Sequence, residues 1–361
     1  MNTSTSETPR QSICYDADSD SVRIIDQTRL PGELAFVALD SLEAVCRAIT
    51  EMQVRGAPLI GVTAAYGVYL ALRKDPSELN CALSKLRGTR PTAVNLQWAL
   101  ERCAVELGPL ATGDRARRAL QLAQVLEAQD IEVCAAIGTH GAELLRSLWE
   151  QKRGKAAAFN ILTHCNAGAL AAVDWGTALA VVYKLADAGV PSHVWVDETR
   201  PRNQGAALTC WELQQRGIDH TLVVDNAGGH LMQRGLVDVC LVGSDRTTAN
   251  GDVCNKIGTY LKALAARDNG VPFYVALPVS SIDFELETGA SIPIEERQAE
   301  EVTHVWGIDE NGRRGRLRLA GEGVKAANPG FDVTPASLIS GLITERGVVA
   351  AEAGALAELR P

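Results

Sequence analysis

The chain is 361 residues long, 46% hydrophobic but only 5% aromatic, with 35 basic against 44 acidic residues and a net charge of −9. That length points to two domains and a sizeable core, and the acidic balance excludes a broad nucleic-acid-binding face, which needs a basic excess. No apolar stretch is long enough to span a bilayer, Met1–Ser12 lacks the apolar core of a secretory signal, and nine scattered cysteines without a Cys-x-x-Cys pair favour a reduced, cytoplasmic setting over a disulfide framework or a zinc site.

Residues 1–12 read as a disordered tail. Ser21–Ile25 and Leu34–Leu39 alternate and flank the turn signal Pro31-Gly32, so they predict a short antiparallel pair. From Ser41 to about Leu148 the pattern is helical. Leu42, Val45, Cys46 and Ile49 share one face, and Leu59–Leu72 and Ala116–Leu126 are further helices. Residues 13–150 thus form a mostly helical N-terminal domain.

After Lys155 short apolar runs alternate with helices. Strands are predicted at Ala158–Leu162, Val194–Val196, Thr221–Val224, Val237–Val242 and Phe273–Leu277. Helices are predicted at Ala169–Ala188, Ala206–Arg216, Ala227–Arg234 and Ile257–Ala266. That alternation means parallel βαβ units, an α/β domain over residues 151–361. Pro335–Thr344 reads as a helix and Gly347–Ala350 as a last strand.

Polar loops follow each of these strands: Thr163–Gly168, Asp197–Gly205, Asp225–Gly228, Gly243–Lys256 and Pro278–Ser281. Ligands of open α/β sheets bind at that edge. Asp245 is the acid/base candidate, because a carboxyl in an apolar setting, here supplied by Leu241, Val242 and Gly243, keeps its proton near neutrality. The plainer readings are a helix cap, an ion pair with Arg246, or a solvated loop turning at Asn250-Gly251. Asp252 reads as a helix cap. Asn255 and Lys256 fall one turn into the next helix, where they and free amides suit an anion. Cys165, before an expected helix N-terminus, is a candidate thiolate, against the alternative of a packed, inert thiol. His164 faces the other way from Cys165 and reads as structural. Arg55-Gly56-Ala57-Pro58 opens a helix and leaves free N–H groups for an oxyanion, with Arg90 a further donor.

Eight segments together resemble the methylthioribose-1-phosphate isomerases, a family that also holds the regulatory subunits of eukaryotic translation initiation factor 2B. They are Asp26–Pro31, Val54–Pro58, Arg90–Leu96, Thr163–Gly168, Glu198–Gly205, Gly243–Arg246 with Asn250–Asp252, Asn255–Tyr260, and Asn328–Pro335. Ser244 and Thr247-Thr248 depart slightly from the family pattern. The resemblance implies a Rossmann-like catalytic domain behind the helical one, a homodimer, and an aldose–ketose isomerase of methionine salvage and biosynthesis. Its substrate would be 5-methylthioribose 1-phosphate and its product 5-methylthioribulose 1-phosphate. It places Asp245 as proton donor and Cys165 as second catalytic group, with Arg55, Gly56, Ala57, Arg90, Gln204, Asn255 and Lys256 binding substrate, largely its phosphate. A hydrogen moves from C2 to C1, as a proton carried by Cys165 or as a hydride. Neither route calls for a metal or other cofactor, and the Gly-x-Gly-x-x-Gly dinucleotide fingerprint does not occur. The alternatives are an isomerase of 5-deoxyribose 1-phosphate or ribose 1,5-bisphosphate, and a non-catalytic regulatory subunit.

Overall fold

The chain opens on a three-stranded antiparallel sheet, β1 (Ile13–Asp16), β2 (Ser21–Ile25) and β3 (Phe36–Leu39). The computed structural model describes residues 11–90, 93–152 and 156–360. Residues 1–10 of the expected tail lie outside these. Ser12, also assigned to the tail, is buried, and its amide donates to the Val173 carbonyl at 2.9 Å. Strand β1 escaped the sequence reading because it offers only four residues and one full alternation.

Five helices follow: α1 (Leu42–Thr50), α2 (Ala57–Lys74), α3 (Leu79–Arg87), α4 (Val94–Leu107) and α5 (Thr112–Lys152). Ser41 caps α1 by accepting from the Ala44 amide at 3.4 Å. Helix α2 is buried from Leu59 through Leu72. A helix apolar on all sides belongs inside a bundle, and α2 is the axis around which the others pack. Among the described residues none of the helices is long and apolar enough to cross a membrane.

The sheet domain runs β4 (Phe159–Thr163), α6 (Ala178–Asp187), β5 (Ser192–Asp197), α7 (Cys210–Gln215), β6 (His220–Val223), α8 (Ala227–Gln233), β7 (Val239–Val242), β8 (Arg246–Thr248), β9 (Val253–Lys256), α9 (Thr259–Asp268), β10 (Phe273–Ala276) and β11 (Ile282–Asp283). It continues through α10 (Glu300–Thr303), β12 (His304–Ile308), β13 (Arg314–Arg318), β14 (Phe331–Thr334), β15 (Gly341–Thr344), β16 (Gly347–Val349) and α11 (Ala353–Ala357). Seven strands form the main sheet in the order β16-β15-β10-β7-β4-β5-β6, parallel except for β16. From β4 the chain winds outward through β5 and β6. It then returns to β7, on the other side of β4, and winds the opposite way through β10 and β15. The strand order therefore reverses between β4 and β7, which are joined at Leu162 and Cys240. A doubly wound sheet opens a crevice at that point, because the two connections leave on opposite faces.

Helix α5, 41 residues and roughly 60 Å long, ties the halves together. Leu122 and Leu126 pack into the helical core, and Ile137, Leu145 and Trp149 into the sheet core. Gly141 lets α6 approach closely: a Cβ there would lie 2.3 Å from a Val181 methyl.

Several expected elements differ. The helix predicted at Ala169–Ala188 is a 3₁₀ turn at Ala169–Ala171 and then α6, because Trp175 and Gly176 take positive φ and break the turn between them. Pro335–Thr344 is a 3₁₀ turn followed by strand β15. Its apolar run suited either periodicity, and the free edge of β10 supplied the backbone partners that make it a strand. Between β7 and α9 the chain does not pass straight from strand to helix. It makes the hairpin β8–β9, turning at Asn250-Gly251 with Gly251 at φ +92°, within a second sheet ordered β11-β8-β9-β14. Asn255 and Lys256 therefore stand on a strand, not in the first turn of a helix. Asp252 caps no α-helix; its carboxylate accepts from the Gly289 and Ala336 amides, both at 2.9 Å.

Candidate active site

The two loops that leave the switch point carry Cys165, after β4, and Asp245, after β7. Both side chains line one cavity. Arg55, Gly56, Ala57, Arg90, Gln204 and Lys256 form much of its polar wall, with Arg246 and Arg297, and Met52, Ile60, Ala93, Ile292, Pro293 and Phe331 much of its apolar wall. Asn255 stands just behind, lining a contiguous hollow that Cys165, Asp245, Arg55 and Gly56 share. All nine residues singled out from the sequence thus converge on one spot, from the helical half and from three parts of the sheet half. A groove of about 470 Å³ adjoins the cavity, sharing Met52, Arg55 and Gln204 with it.

Each side chain is held by identifiable bonds. Gly56 precedes α2 at φ +100°, and a Cβ there would lie 2.4 Å from the Ala171 carbonyl oxygen. No side chain caps α2, so its first amides face the cavity with the positive end of the helix dipole behind them. Arg55 donates to Asn166 twice, to Oδ1 at 2.5 Å and to the carbonyl at 2.7 Å. Lys256 donates to the Gly330 carbonyl at 2.9 Å and lies 4.7 Å from the Phe331 ring centroid. Arg90 reaches Glu295 at 3.4 Å. Gln204 is buried, and its Oε1 has no hydrogen-bond partner among the described residues, an acceptor open to a donor from a ligand.

Burial pushes the Asp245 carboxyl above its ordinary value, against the pull of Lys256, Arg55 and Arg90. Its apolar neighbours are not the preceding Leu241 and Val242, which point into the sheet core; they come from Ile60, Ala93, Ile292 and Phe331. Arg246 does not monopolise Asp245, since it lies 3.5 Å from Asp283. The Cys165 thiol is also pushed up, first by burial, although Arg55 and Lys256 oppose this. The expected helix dipole is missing because the next α-helix begins only at Ala178. Cys165 is therefore a thiol rather than a resting thiolate. It sits at φ +66°, its amide donating to Thr199 Oγ1 at 2.8 Å and its carbonyl accepting from Thr209 Oγ1 at 2.7 Å.

His164 lies outside the main cavity, bordering only the hollow behind it. Its Nδ1 lies 2.9 Å from Asp197, and its Nε2 donates to the Ile257 carbonyl at 2.8 Å. His164, Asp197 and Asp225 gather donor atoms of the kind that hold metals. Here the chain supplies its own cation: Lys262 lies 3.1 Å from Asp197 and donates to the Asp225 carbonyl.

Sequence reasoning missed Arg297, which lines the cavity while clamped by Glu301 and Glu295, both at 2.8 Å. It also missed the apolar wall. Phe331 lies within the segment Asn328–Pro335 and could have been found there; Arg297 has no local signature.

The pattern of the initiation factor 2 subunit family matches residues 53–351. The methylthioribose-1-phosphate isomerase of Methylocella silvestris is 57% identical over 352 residues, covering 97% of this chain and 96% of that one. The crystal structure of 5-methylthioribose 1-phosphate isomerase from Pyrococcus horikoshii OT3 superposes with a TM-score of 0.83 at 39% identity, covering 98% of this chain and 96% of that one. The translation initiation factor eIF-2B delta subunit from A. fulgidus superposes with a TM-score of 0.77 at 40% identity, over 95% and 96%. On sequence and fold alike, the chain belongs to the initiation factor 2 subunit family.

Proposed function

We infer that the protein is a methylthioribose-1-phosphate isomerase of methionine salvage, with Asp245 and Cys165 as its catalytic pair. The observation that carries this reading is the single cavity in which a carboxyl and a thiol, both biased toward their protonated forms, face a cluster of cations and free amides. Arg55, Lys256, Arg90, Gln204, Asn255 and the amides of Gly56 and Ala57 bind the substrate, chiefly its phosphate. Asp245 donates its proton to the ring oxygen as the bond from that oxygen to C1 breaks, and the electron pair of the bond stays on oxygen. The hydrogen on C2 then moves with its bonding pair to the electron-poor C1, and the C2 hydroxyl becomes the ketone by giving its proton to the Asp245 carboxylate, which restores the acid. Since Cys165 is held as a neutral thiol, we favour its role as a polar neighbour of the migrating hydrogen over that of a resting base.

Charge accounting supports a single phosphate. Arg55 and Lys256 are held by uncharged partners, whereas Arg297 and Arg90 share Glu295, Arg297 and Arg202 share Glu301, and Arg246 faces Asp283. Two cations suit one phosphate, and the apolar wall suits an uncharged C5 substituent such as methylthio. A cytoplasmic homodimer fits the reduced cysteines and the family. The test is to incubate the purified protein with 5-methylthioribose 1-phosphate and with ribose 1,5-bisphosphate, following the ketose formed. We expect efficient turnover of the first and at least about a hundredfold lower kcat/KM for the second. A protein that converts neither sugar phosphate is not this enzyme.

A further inference from the structure

We propose that Glu212, outside the cavity, is a positioning residue for Arg55. It sits on α7, is buried, and collects four donors on one carboxylate. Oε1 accepts from Asn166 Nδ2 at 2.7 Å and the Leu170 amide at 3.3 Å; Oε2 accepts from the Ala169 amide at 2.7 Å and the Tyr183 hydroxyl at 2.8 Å. The carboxylate rests on bare backbone: a Cβ on Gly168 would lie 2.4 Å from Oε2. Asn166 is the link. Its Nδ2 is taken by Glu212 and by Thr209 Oγ1 at 3.2 Å, which fixes the amide so that Oδ1 faces Arg55. The guanidinium is thereby aimed by a carboxylate it does not touch.

Glu212→Gln cannot satisfy all four donors in either orientation of the new amide. With its NH₂ at the Oε2 position it would keep the Asn166 bond but face the Ala169 N–H at 2.7 Å, a backbone amide that cannot turn round, so this orientation is disfavoured. With its NH₂ at the Oε1 position it meets the Asn166 NH₂. Asn166 must then flip and present two donors to Arg55, and the bond between them is lost.

This inference rests on the isomerase reading, and its test separates the two. KM and kcat for 5-methylthioribose 1-phosphate, and the competitive inhibition constant of inorganic phosphate, are measured for wild type, Glu212→Gln, Arg55→Ala, the double variant and Tyr183→Phe. We expect Glu212→Gln to raise KM and the phosphate inhibition constant by about tenfold, with kcat within about threefold. In the Arg55→Ala background it should add almost nothing, because the residue it acts through is already gone. Tyr183→Phe removes a donor from the same carboxylate without touching Asn166, so it should lower the melting temperature and leave KM alone. Where Glu212→Gln gives no folded protein, Glu212→Asp, which withdraws the carboxylate by one methylene, should show a smaller rise in the same direction. Unchanged phosphate inhibition in the folded variant, or full multiplication of the two effects in the double variant, overturns the proposal. Wild-type protein without turnover overturns the isomerase reading instead.

Discussion

Asp245→Asn is the sharpest probe of the site, because it separates the proton from the charge. Asparagine has nearly the same shape as a protonated aspartic acid and carries no proton to donate. General acid catalysis of this kind contributes roughly 10²–10⁴-fold, so about 3–5 kcal/mol of barrier should return and kcat should fall by that factor. Binding should respond differently. Arg55, Lys256 and Arg90 all act on this carboxyl. If it carried a full negative charge, its removal would strengthen the field on the phosphate. At an effective dielectric constant of ~20 and a separation of ~7 Å that amounts to about 2 kcal/mol, some thirtyfold in affinity. Burial biases Asp245 toward its protonated form, and if the proton stays on at the assay pH the phosphate inhibition constant should remain within about twofold of wild type. The assay is steady-state turnover with inorganic phosphate as competitive inhibitor, alongside a melting curve to show that the variant folds. In wild type, kcat should fall on the alkaline side as this carboxyl loses its proton, at a pH above the usual carboxylate range. Near-normal turnover of the variant would remove Asp245 from its role, and a thirtyfold gain in phosphate affinity would show it ionised at rest.

Two further outcomes follow from particular groups. With deuterium at C2 of the substrate, a Cys165 held as neutral thiol predicts that the label stays in the product at C1; washout of the label into solvent would show a proton carried by the protein. Asp130 on α5 accepts from the Val173 amide at 2.7 Å, and burial with Asp174 and Glu127 nearby pushes it up to about 7 from 3.8. Its folded value lies above its unfolded one, so its ionisation erodes stability as pH rises from about 4 to 7, by at most ~4 kcal/mol. Asp130→Asn should therefore raise the melting temperature more at pH 8 than at pH 5. Equal shifts at the two pH values would show that Asp130 is not ionising in this range.

Much of the site was legible in advance because its residues sit in dense local motifs. Thr163–Gly168 and Gly243–Lys256 concentrate polar side chains and glycines immediately after apolar strands, a pattern a mere scaffold does not need. What failed was local structure within those motifs. The first helical turn assigned to Asn255 and Lys256 is strand β9, since four short strands from distant stretches found one another and made a second sheet. The thiolate expected of Cys165 failed for a different reason: positive φ at Trp175 and Gly176 interrupts the expected helix, so the one whose dipole would have lowered it starts thirteen residues later, at Ala178. Glu212 left no trace in the pattern. A glutamate in a short helix looks like a solvated surface residue until Asn166, the Gly168–Leu170 turn and Tyr183 are seen to surround it.

Periodicity alone specified a helical first half and a wound parallel sheet after it, because burial repeats at 3.6 residues in one case and follows short apolar runs in the other. Glycines and polar residues after those runs marked loops that gather at the cavity. Only the folded chain decided that β7 returns beside β4 rather than beyond β6, and that choice places the Asp245 loop against the Cys165 loop. It also brought Arg55 and Arg90 from the helical half across to them, and enclosed the carboxyl among Ile60, Ala93, Ile292 and Phe331. The order of strands and the surroundings of a buried proton are properties of contacts between distant segments, which no local spacing encodes.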